Sequence, residues 1–199
     1  MSSTTGFTMI EAVVTIAIGT IVIAGIVGFM IEAGRLQTFI SEQSEAIETA
    51  NDATTLMTEA LRETIDGADG SYALEVTDDN TMTFYSDVDA DASAEQIIYA
   101  LVGTDIIQSI TEPTDAPAEY LPENLTNKTI ATGIVNGTYT GTPIFSYYDL
   151  NNAELTEPID LAAVTLVKLH LDVNVDPNRV PDTHTIETYI QLRNLNDNL

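Results

Sequence analysis

The N-terminal part of the chain is dominated by one long apolar run. From Phe7 to Ile31 it reads FTMIEAVVTIAIGTIVIAGIVGFMI, and Glu11 is the only charged residue in it. A helix needs about 20 apolar residues to span a bilayer, and residues 12–31 supply that length without a charge. A secretory signal has a shorter apolar region after a basic segment, whereas residues 1–6, MSSTTG, carry no Lys or Arg. The pattern therefore predicts a retained membrane helix.

The next segment has the pattern of an amphipathic helix. Between Leu36 and Ile65, apolar or small residues recur mostly at three- and four-residue steps, with acidic residues between them, which is typical of a helix with one buried face. Asp66 and Gly67 follow, and Gly tolerates the left-handed conformation that ends many helices. Phe7 to Ile65 is therefore predicted to be one helix about 88 Å long. Its second half carries the stripe Leu36, Ile40, Ile47, Ala50, Thr54, Met57, Leu61 and Ile65.

After Gly70 the apolar residues recur every second position, as they do in β-strands. A segment rich in Pro and Gly, from Thr111 to Pro143, is predicted to consist mainly of loops. A long helix followed by strands predicts an α+β fold, in which a long N-terminal transmembrane and stalk helix packs on an antiparallel β-sheet head. The predicted strands lie at 72–76, 82–84, 95–102, 106–110, 167–175 and 186–192, and residues 144–150 are predicted to form a short strand or a turn.

Composition narrows the classes of function. The 199 residues include 6 Lys and Arg against 31 Asp and Glu, a formal net charge of −25, and no Cys. Such an acidic chain is not expected to bind nucleic acid or an anionic lipid surface through positive charge. Cysteine nucleophiles and thiolate zinc sites are excluded. The two histidines, His170 and His184, fall on or just before strands and are expected on the solvated surface. No hydrolase or phosphate-loop motif occurs, so an enzyme is not expected.

Glu11 lies inside the apolar run, where a carboxylate is costly and is a candidate functional residue. Residues 6–11, G-F-T-M-I-E, together with the apolar helix after them, resemble the N-terminus of type IV pilins and type II secretion pseudopilins. The resemblance implies that a membrane prepilin peptidase cuts between Gly6 and Phe7 and methylates the new Phe7 amine. It also implies that Glu11 pairs with the Phe7 amine of an adjacent subunit and sets the register of assembly.

Two later stretches indicate which members of the family the chain resembles. Residues 142–152, TPIFSYYDLNN, and residues 186–195, IETYIQLRNL, are similar to elements of minor pilins and J-type pseudopilins. The implied partners are other pilin subunits, the prepilin peptidase and the inner-membrane assembly platform. The implied location is a single pass through the inner membrane before assembly and an extracytoplasmic filament afterwards. The chain then divides into a prepilin leader (1–6), the transmembrane half of the long helix (7–31), an amphipathic stalk helix (32–66) and a β-rich globular head (67–199).

An acidic segment between two predicted strands is the candidate metal site. Asp87, Asp89 and Asp91 alternate along it, and Glu95 follows. Alternating carboxylates in one loop suit calcium, which takes six to eight oxygen ligands. The segment has Ala92 where an EF-hand has Gly, and it lacks the terminal Glu of that motif. Two interpretations stay open, namely a solvated acidic loop and a calcium site built from these four residues.

Two classes of function are consistent with the sequence. The first is a structural subunit of a type IV pilus-like or pseudopilus filament, assembled through N-terminal helix packing. The alternative is a monomeric membrane-anchored protein with an extracytoplasmic binding or sensor head. An anchor keeps Met1 and has no need of Glu11, whereas a processed pilin begins at Phe7. The mass of the mature N-terminus separates the two.

Overall fold

The computed structural model describes residues 6, 8–137, 139–179 and 183–192. Its first element is α1, Met9–Arg62, so the single long helix predicted from the sequence is confirmed with slightly shorter ends. The chain divides into two compact units, Met1–Glu42 and Gln43–Leu199. The last part of α1 therefore belongs to the second unit, while the four-part division predicted from the sequence stays a prediction.

The described part of the second unit contains two antiparallel sheets. The first has the strand order β1-β2-β3-β4-β5 and the second the order β6-β7-β8. Every neighbouring pair is antiparallel, so the predicted α+β arrangement, one long helix followed by antiparallel strands, is confirmed. The strands are β1 (Leu74–Thr77), β2 (Thr81–Ser86), β3 (Glu95–Val102), β4 (Asp105–Pro113), β5 (Tyr120–Ala131), β6 (Phe145–Tyr148), β7 (Leu166–Val173) and β8 (His184–Gln191).

The end of α1 packs on the sheets through a face of small side chains. Ala46, Ala50 and Ala53 are buried, and they share one apolar cluster with residues of both sheets, among them Phe84 and Leu169. An alanine methyl lets the helix backbone approach the strands closely, and interiors pack at high density. The core of the second unit is therefore a helix laid against two sheets.

This buried face differs from the apolar stripe predicted for the helix. Ala50, Met57 and Leu61 are buried as predicted, whereas Leu36 and Ile40 are 46% and 53% exposed. Leu36 and Ile40 belong to the first compact unit, whereas Ala50, Met57 and Leu61 belong to the second, which contains the sheets. The periodicity of the helix gave no sign of where along it the buried part begins.

Gln43 connects α1 to the second sheet. Its side chain is buried. Its Nε2 donates to the carbonyl oxygen of Val173 at 3.1 Å, and its Oε1 accepts from the backbone N–H of Val175 at 3.0 Å. Both ends of the buried amide are thus satisfied, as buried polar groups require, and the helix is held to the end of β7.

One strand lies where the sequence predicts loops. The prediction of a loop-rich segment over Thr111–Pro143 is wrong over β5, which pairs with β4 and forms the edge of the first sheet. Most β5 side chains are exposed, so the strand lacks the apolar alternation that marks the others. Pro122 lies within β5, as an edge strand permits. The pairing of β5 therefore rests on backbone hydrogen bonds that no local pattern signals.

His170 is not the solvated histidine predicted from the sequence. Its side chain, on β7, is only 14% exposed, with Nδ1 at 2.7 Å from Oε1 of Glu187 and Nε2 at 3.1 Å from Oδ1 of Asp172. Glu187 lies on β8, directly opposite His170 in the pairing of the two strands, and it also accepts from Lys168 at 2.7 Å. The strand register therefore places His170 between two carboxylates, whereas His184 is exposed as predicted.

Candidate functional site

The first part of α1 is an apolar surface. Every Val, Ile, Met and Phe from Met9 to Ile31 is exposed, with Met9 at 86% and Phe29 at 74%. Among the described residues, α1 is the one helix long and apolar enough to cross a membrane. A soluble monomer rarely exposes so large an apolar area. This surface is therefore one that lipid or other protein helices must cover.

Glu11 and Thr8 cap the start of this helix reciprocally. Oε2 of Glu11 accepts from the backbone N–H and from the hydroxyl of Thr8, each at 2.8 Å, and the N–H of Glu11 donates to the Thr8 hydroxyl at 3.4 Å. This is the capping-box arrangement, in which a Thr and a Glu three residues later satisfy each other's N–H groups. The carboxylate of Glu11 is thus held by its own chain.

The residues of the predicted cleavage site are only partly described. Gly6 is described, and a side chain added there would meet no atom within 4 Å. Phe7 and residues 1–5 of the predicted leader lie outside the described residues. The structure therefore brings Glu11 together with Thr8, and the pairing of Glu11 with a Phe7 amine stays a prediction.

The N-terminal segment also matches a known family. Residues 1–27 fit the family described as the prokaryotic N-terminal methylation motif. The match covers the G-F-T-M-I-E segment and the apolar beginning of α1, which precedes the two antiparallel sheets. This motif supports the type IV pilin and pseudopilin class for the chain. None of the curated proteins matches this chain.

The first turn of α1 carries Glu11, to which the pilin resemblance assigns a role in assembly. The prepilin class and the N-terminal methylation motif predicted from the sequence are confirmed by the match. The individual roles of Gly6, Phe7 and Glu11 stay predictions. Glu11 is the one charge among the described residues of the apolar part of α1.

A second candidate site is the loop between β2 and β3, which gathers four carboxylates. One carboxylate oxygen each from Asp87, Asp89, Asp91 and Glu95 lies within 4.8 Å of those of the other three. The backbone N–H groups of Asp91 and Ala92 donate to the two oxygens of Asp87 at 3.2 and 3.0 Å. The structure thus brings together all four residues that the sequence suggests as metal ligands.

The backbone of this loop adopts an unfavourable conformation at two positions. Ala90 has φ 63° and Ala92 has φ 74°, both in the left-handed region that costs a residue with a Cβ about 1–2 kcal/mol. Ala92 occupies the sixth position after Asp87, counting Asp87 as the first, where an EF-hand has Gly. The missing Gly therefore does not prevent the left-handed turn at that position.

Glu95, the first residue of β3, is the buried member of the cluster. It is 0% exposed. Its Oε2 accepts from the backbone N–H of Val88 at 2.7 Å, while its Oε1 has no hydrogen-bond partner. Burial, followed by the charges of Glu112, Asp89 and Asp87, raises the pKa of Glu95 from 4.5 to about 7. A buried carboxylate among other carboxylates is stabilised by a proton or by a cation.

Two residues of these sites were missed by sequence reasoning. Thr8 could have been found, because T-M-I-E matches the capping-box spacing that precedes an apolar helix. Glu112 carries no such local signal. Burial and the charges of Asp89 and Asp91 raise the pKa of Glu112, so it lies near the acidic loop. It comes there through the pairing of β3 with β4.

Proposed function

We propose that this protein is a minor structural subunit of a type IV pilus-like or pseudopilus filament, assembled through its N-terminal helix. The observation that carries the proposal is the exposed apolar surface of α1 with the single carboxylate of Glu11 at its start. The hydrophobic effect drives such a surface out of water. Lipid covers it in a single-pass inner-membrane state, and the helices of neighbouring subunits cover it in the extracytoplasmic filament.

In this proposal Glu11 determines the register of packing. A carboxylate transferred into a bundle of apolar helices needs a cation, and the described residues from Met9 to Gly34 contain no Lys or Arg. The amine of Phe7 on an adjacent subunit, freed by the prepilin peptidase, supplies that cation. A subunit in the wrong register leaves a buried charge without its partner, which costs about 3–5 kcal/mol. The hydrogen bonds from Thr8 hold the Glu11 carboxylate until that pairing forms.

The proposal of a minor subunit is supported by the head. The two stretches that resemble minor pilins and J-type pseudopilins contribute to β6 and β8 of the second sheet, each of which pairs with β7. Residues 142–152 contain β6, and β8 begins just before residue 186. A structural role of this kind requires assembly contacts rather than catalysis. Its partners are other pilin subunits, the prepilin peptidase and the inner-membrane platform.

The mass of the N-terminus of the native protein tests the proposal most directly. Intact-protein and N-terminal peptide mass spectrometry should give a chain that begins at N-methylated Phe7. A chain that begins at Met1 in the membrane and in no filament would contradict the proposal. That result would support the alternative of a monomeric membrane anchor with a binding or sensor head.

A pair of matched variants tests the role of Glu11. Glu11→Gln keeps the size of the side chain and removes its charge, and we expect the fraction of the protein recovered in sheared filaments to fall at least about tenfold, with the membrane fraction kept. Glu32→Gln removes one charge from the same helix, where Glu32 is exposed and lies 3.4 Å from Arg35. This control should assemble as the wild type does. Equal filament yields from both variants would show that Glu11 does not set the register.

A further inference from the structure

We propose that the loop between β2 and β3 binds one calcium ion, with Asp87, Asp89, Asp91 and Glu95 as its carboxylate ligands. The proposal does not depend on filament assembly, because all four residues lie in the second compact unit. A failure of the proposed function would leave it standing, and the reverse is also true.

The spacing of the carboxylates fits the size of calcium. Calcium–oxygen distances of about 2.3–2.6 Å place two opposite ligands about 4.6–5.2 Å apart. The four oxygens of the loop all lie within 4.8 Å of one another, so one calcium ion can contact all of them. Magnesium prefers distances of about 2.0–2.1 Å in a rigid octahedron, which demands a tighter cluster. Water and backbone carbonyls complete the six to eight ligands that calcium takes.

Glu95 separates this loop from an ordinary acidic surface loop. Asp89 and Asp91 are exposed, and water alone could solvate them. Glu95 is 0% exposed, and its Oε1 is buried without a hydrogen-bond partner. A buried polar atom with no partner is rare and calls for an unseen water, proton or ion. Glu95 also offers one carboxylate oxygen to the same cluster, so a cation bound there would offset the charge of this buried carboxylate.

The ion pairs of Arg35, Lys168 and His170 involve Glu32, Asp172 and Glu187 and none of the four carboxylates of this cluster. The backbone N–H groups of Val88, Asp91 and Ala92 offset part of the negative charge. A divalent cation offsets far more, because it is the largest local charge wherever it binds.

Calcium binding should stabilise the fold of the head. The ligands come from the loop after β2 and from the first residue of β3, so the ion joins two parts of one β-hairpin. An ion that binds the folded chain and not the unfolded one raises the melting temperature in proportion to the logarithm of its concentration above Kd. The effect is therefore measurable without any filament.

The test is a calcium titration of the full chain in detergent micelles. The protein is first stripped with a chelator and then titrated with CaCl₂ by isothermal titration calorimetry, at an ionic strength fixed with NaCl. We expect saturable binding of about one calcium per chain and a rise in melting temperature that MgCl₂ at the same concentration does not reproduce. Absence of saturable heat, or equal stabilisation by MgCl₂, would overturn the proposal in favour of general screening of the acidic surface.

Two variants and a control locate the site. Asp89→Asn with Asp91→Asn should weaken calcium binding at least about tenfold, since affinity depends on the number of charged ligands. Glu95→Gln is a second variant with nearly the same volume, and it should lose calcium affinity while the head stays folded. Glu45→Gln with Glu48→Gln removes two charges from the exposed side of α1 and should bind calcium as the wild type does. If the loop variants bind as tightly as this control, the site lies elsewhere and the proposal fails.

Discussion

Glu11 accepts two hydrogen bonds from Thr8, one from its backbone N–H and one from its hydroxyl, each 2.8 Å long. The residue that the pilin resemblance assigns to contact between subunits is therefore also part of the N-terminal cap of its own helix. A capping box satisfies N–H groups that a helix cannot pair internally. Any effect of changing Glu11 thus has an assembly component and a local helical component, which variants of Thr8 can separate.

We expect Thr8→Val to loosen the first turn of α1. The variant removes the hydroxyl that accepts from the N–H of Glu11. Because that hydrogen bond is 3.4 Å long, we expect its loss to cost about 0.5 kcal/mol, at the lower end of the range for helix caps, or roughly a twofold change in the opening equilibrium. Amide hydrogen exchange of the full chain in micelles should show faster exchange at Glu11. Thr8→Ser keeps the hydroxyl and should exchange at the wild-type rate. Equal rates in both variants would mean that the cap does not hold this turn.

Gly6→Leu should block processing of the chain. By the pilin resemblance, the peptidase must admit a small residue before Phe7. A Cβ added at Gly6 meets no heavy atom of the described residues within 4 Å, so we attribute a loss of cleavage to recognition by the peptidase. Gly6→Ala should still be cut. N-terminal mass spectrometry of both variants measures this, and a Gly6→Leu chain that begins at Phe7 would show the leader assignment to be wrong.

Gln43→Met should destabilise the second unit by about 2 kcal/mol. The variant keeps the length of the side chain but removes the hydrogen bonds to the Val173 carbonyl and to the partly buried Val175 N–H. A buried backbone group left without its partner costs about 1–3 kcal/mol. Urea denaturation followed by near-UV circular dichroism of the buried tyrosines measures the change. Gln37→Met, on an exposed part of α1, should stay within about 0.5 kcal/mol of the wild type. Similar losses in both variants would assign the effect to helix propensity.

The stability of the metal-free protein should depend on pH through Glu95. Its pKa in the folded state is about 7, against 4.5 for a Glu in water, because it is buried and lies near the charges of Glu112, Asp89 and Asp87. Between these two values the folded state keeps a proton that the unfolded state loses. The contribution of Glu95 to the free energy of unfolding therefore decreases as pH rises from about 4.5 to about 7, and it changes no further above that.

Glu95→Gln lacks this titration and isolates its effect. In a chelator, the melting temperature of Glu95→Gln minus that of the wild type should be constant below about pH 4.5, increase up to about pH 7 and level off above it. Glu123→Gln, at an exposed position of β5, is the control for the effect of losing one negative charge on the melting temperature. Thermal denaturation from pH 4 to pH 8 provides the measurement. A difference that does not change across this range would mean that Glu95 is solvated in the folded head.

The local sequence determined the features that rest on periodicity. The length of α1 and the strands β7 and β8 follow from how often apolar residues recur, since side-chain direction repeats every 3.6 residues in a helix and every two in a strand. The N-terminal apolar segment and β3 follow from continuous apolar runs. The acidic loop could be predicted too, because its three aspartates alternate within one short segment. These features depend on neighbours in the chain.

The tertiary structure decided what depends on distant residues. Gln43 meets Val173 across 130 positions of the chain, and no local pattern marks that contact. The polar edge strand β5 is a strand because β4 offers it hydrogen bonds. Glu95 begins an apolar strand in the sequence, but only the packing around β3 buries its carboxylate completely. Burial and long-range register arise from the whole fold, so the buried environment that distinguishes Glu95 from a surface acid is a property of the tertiary structure.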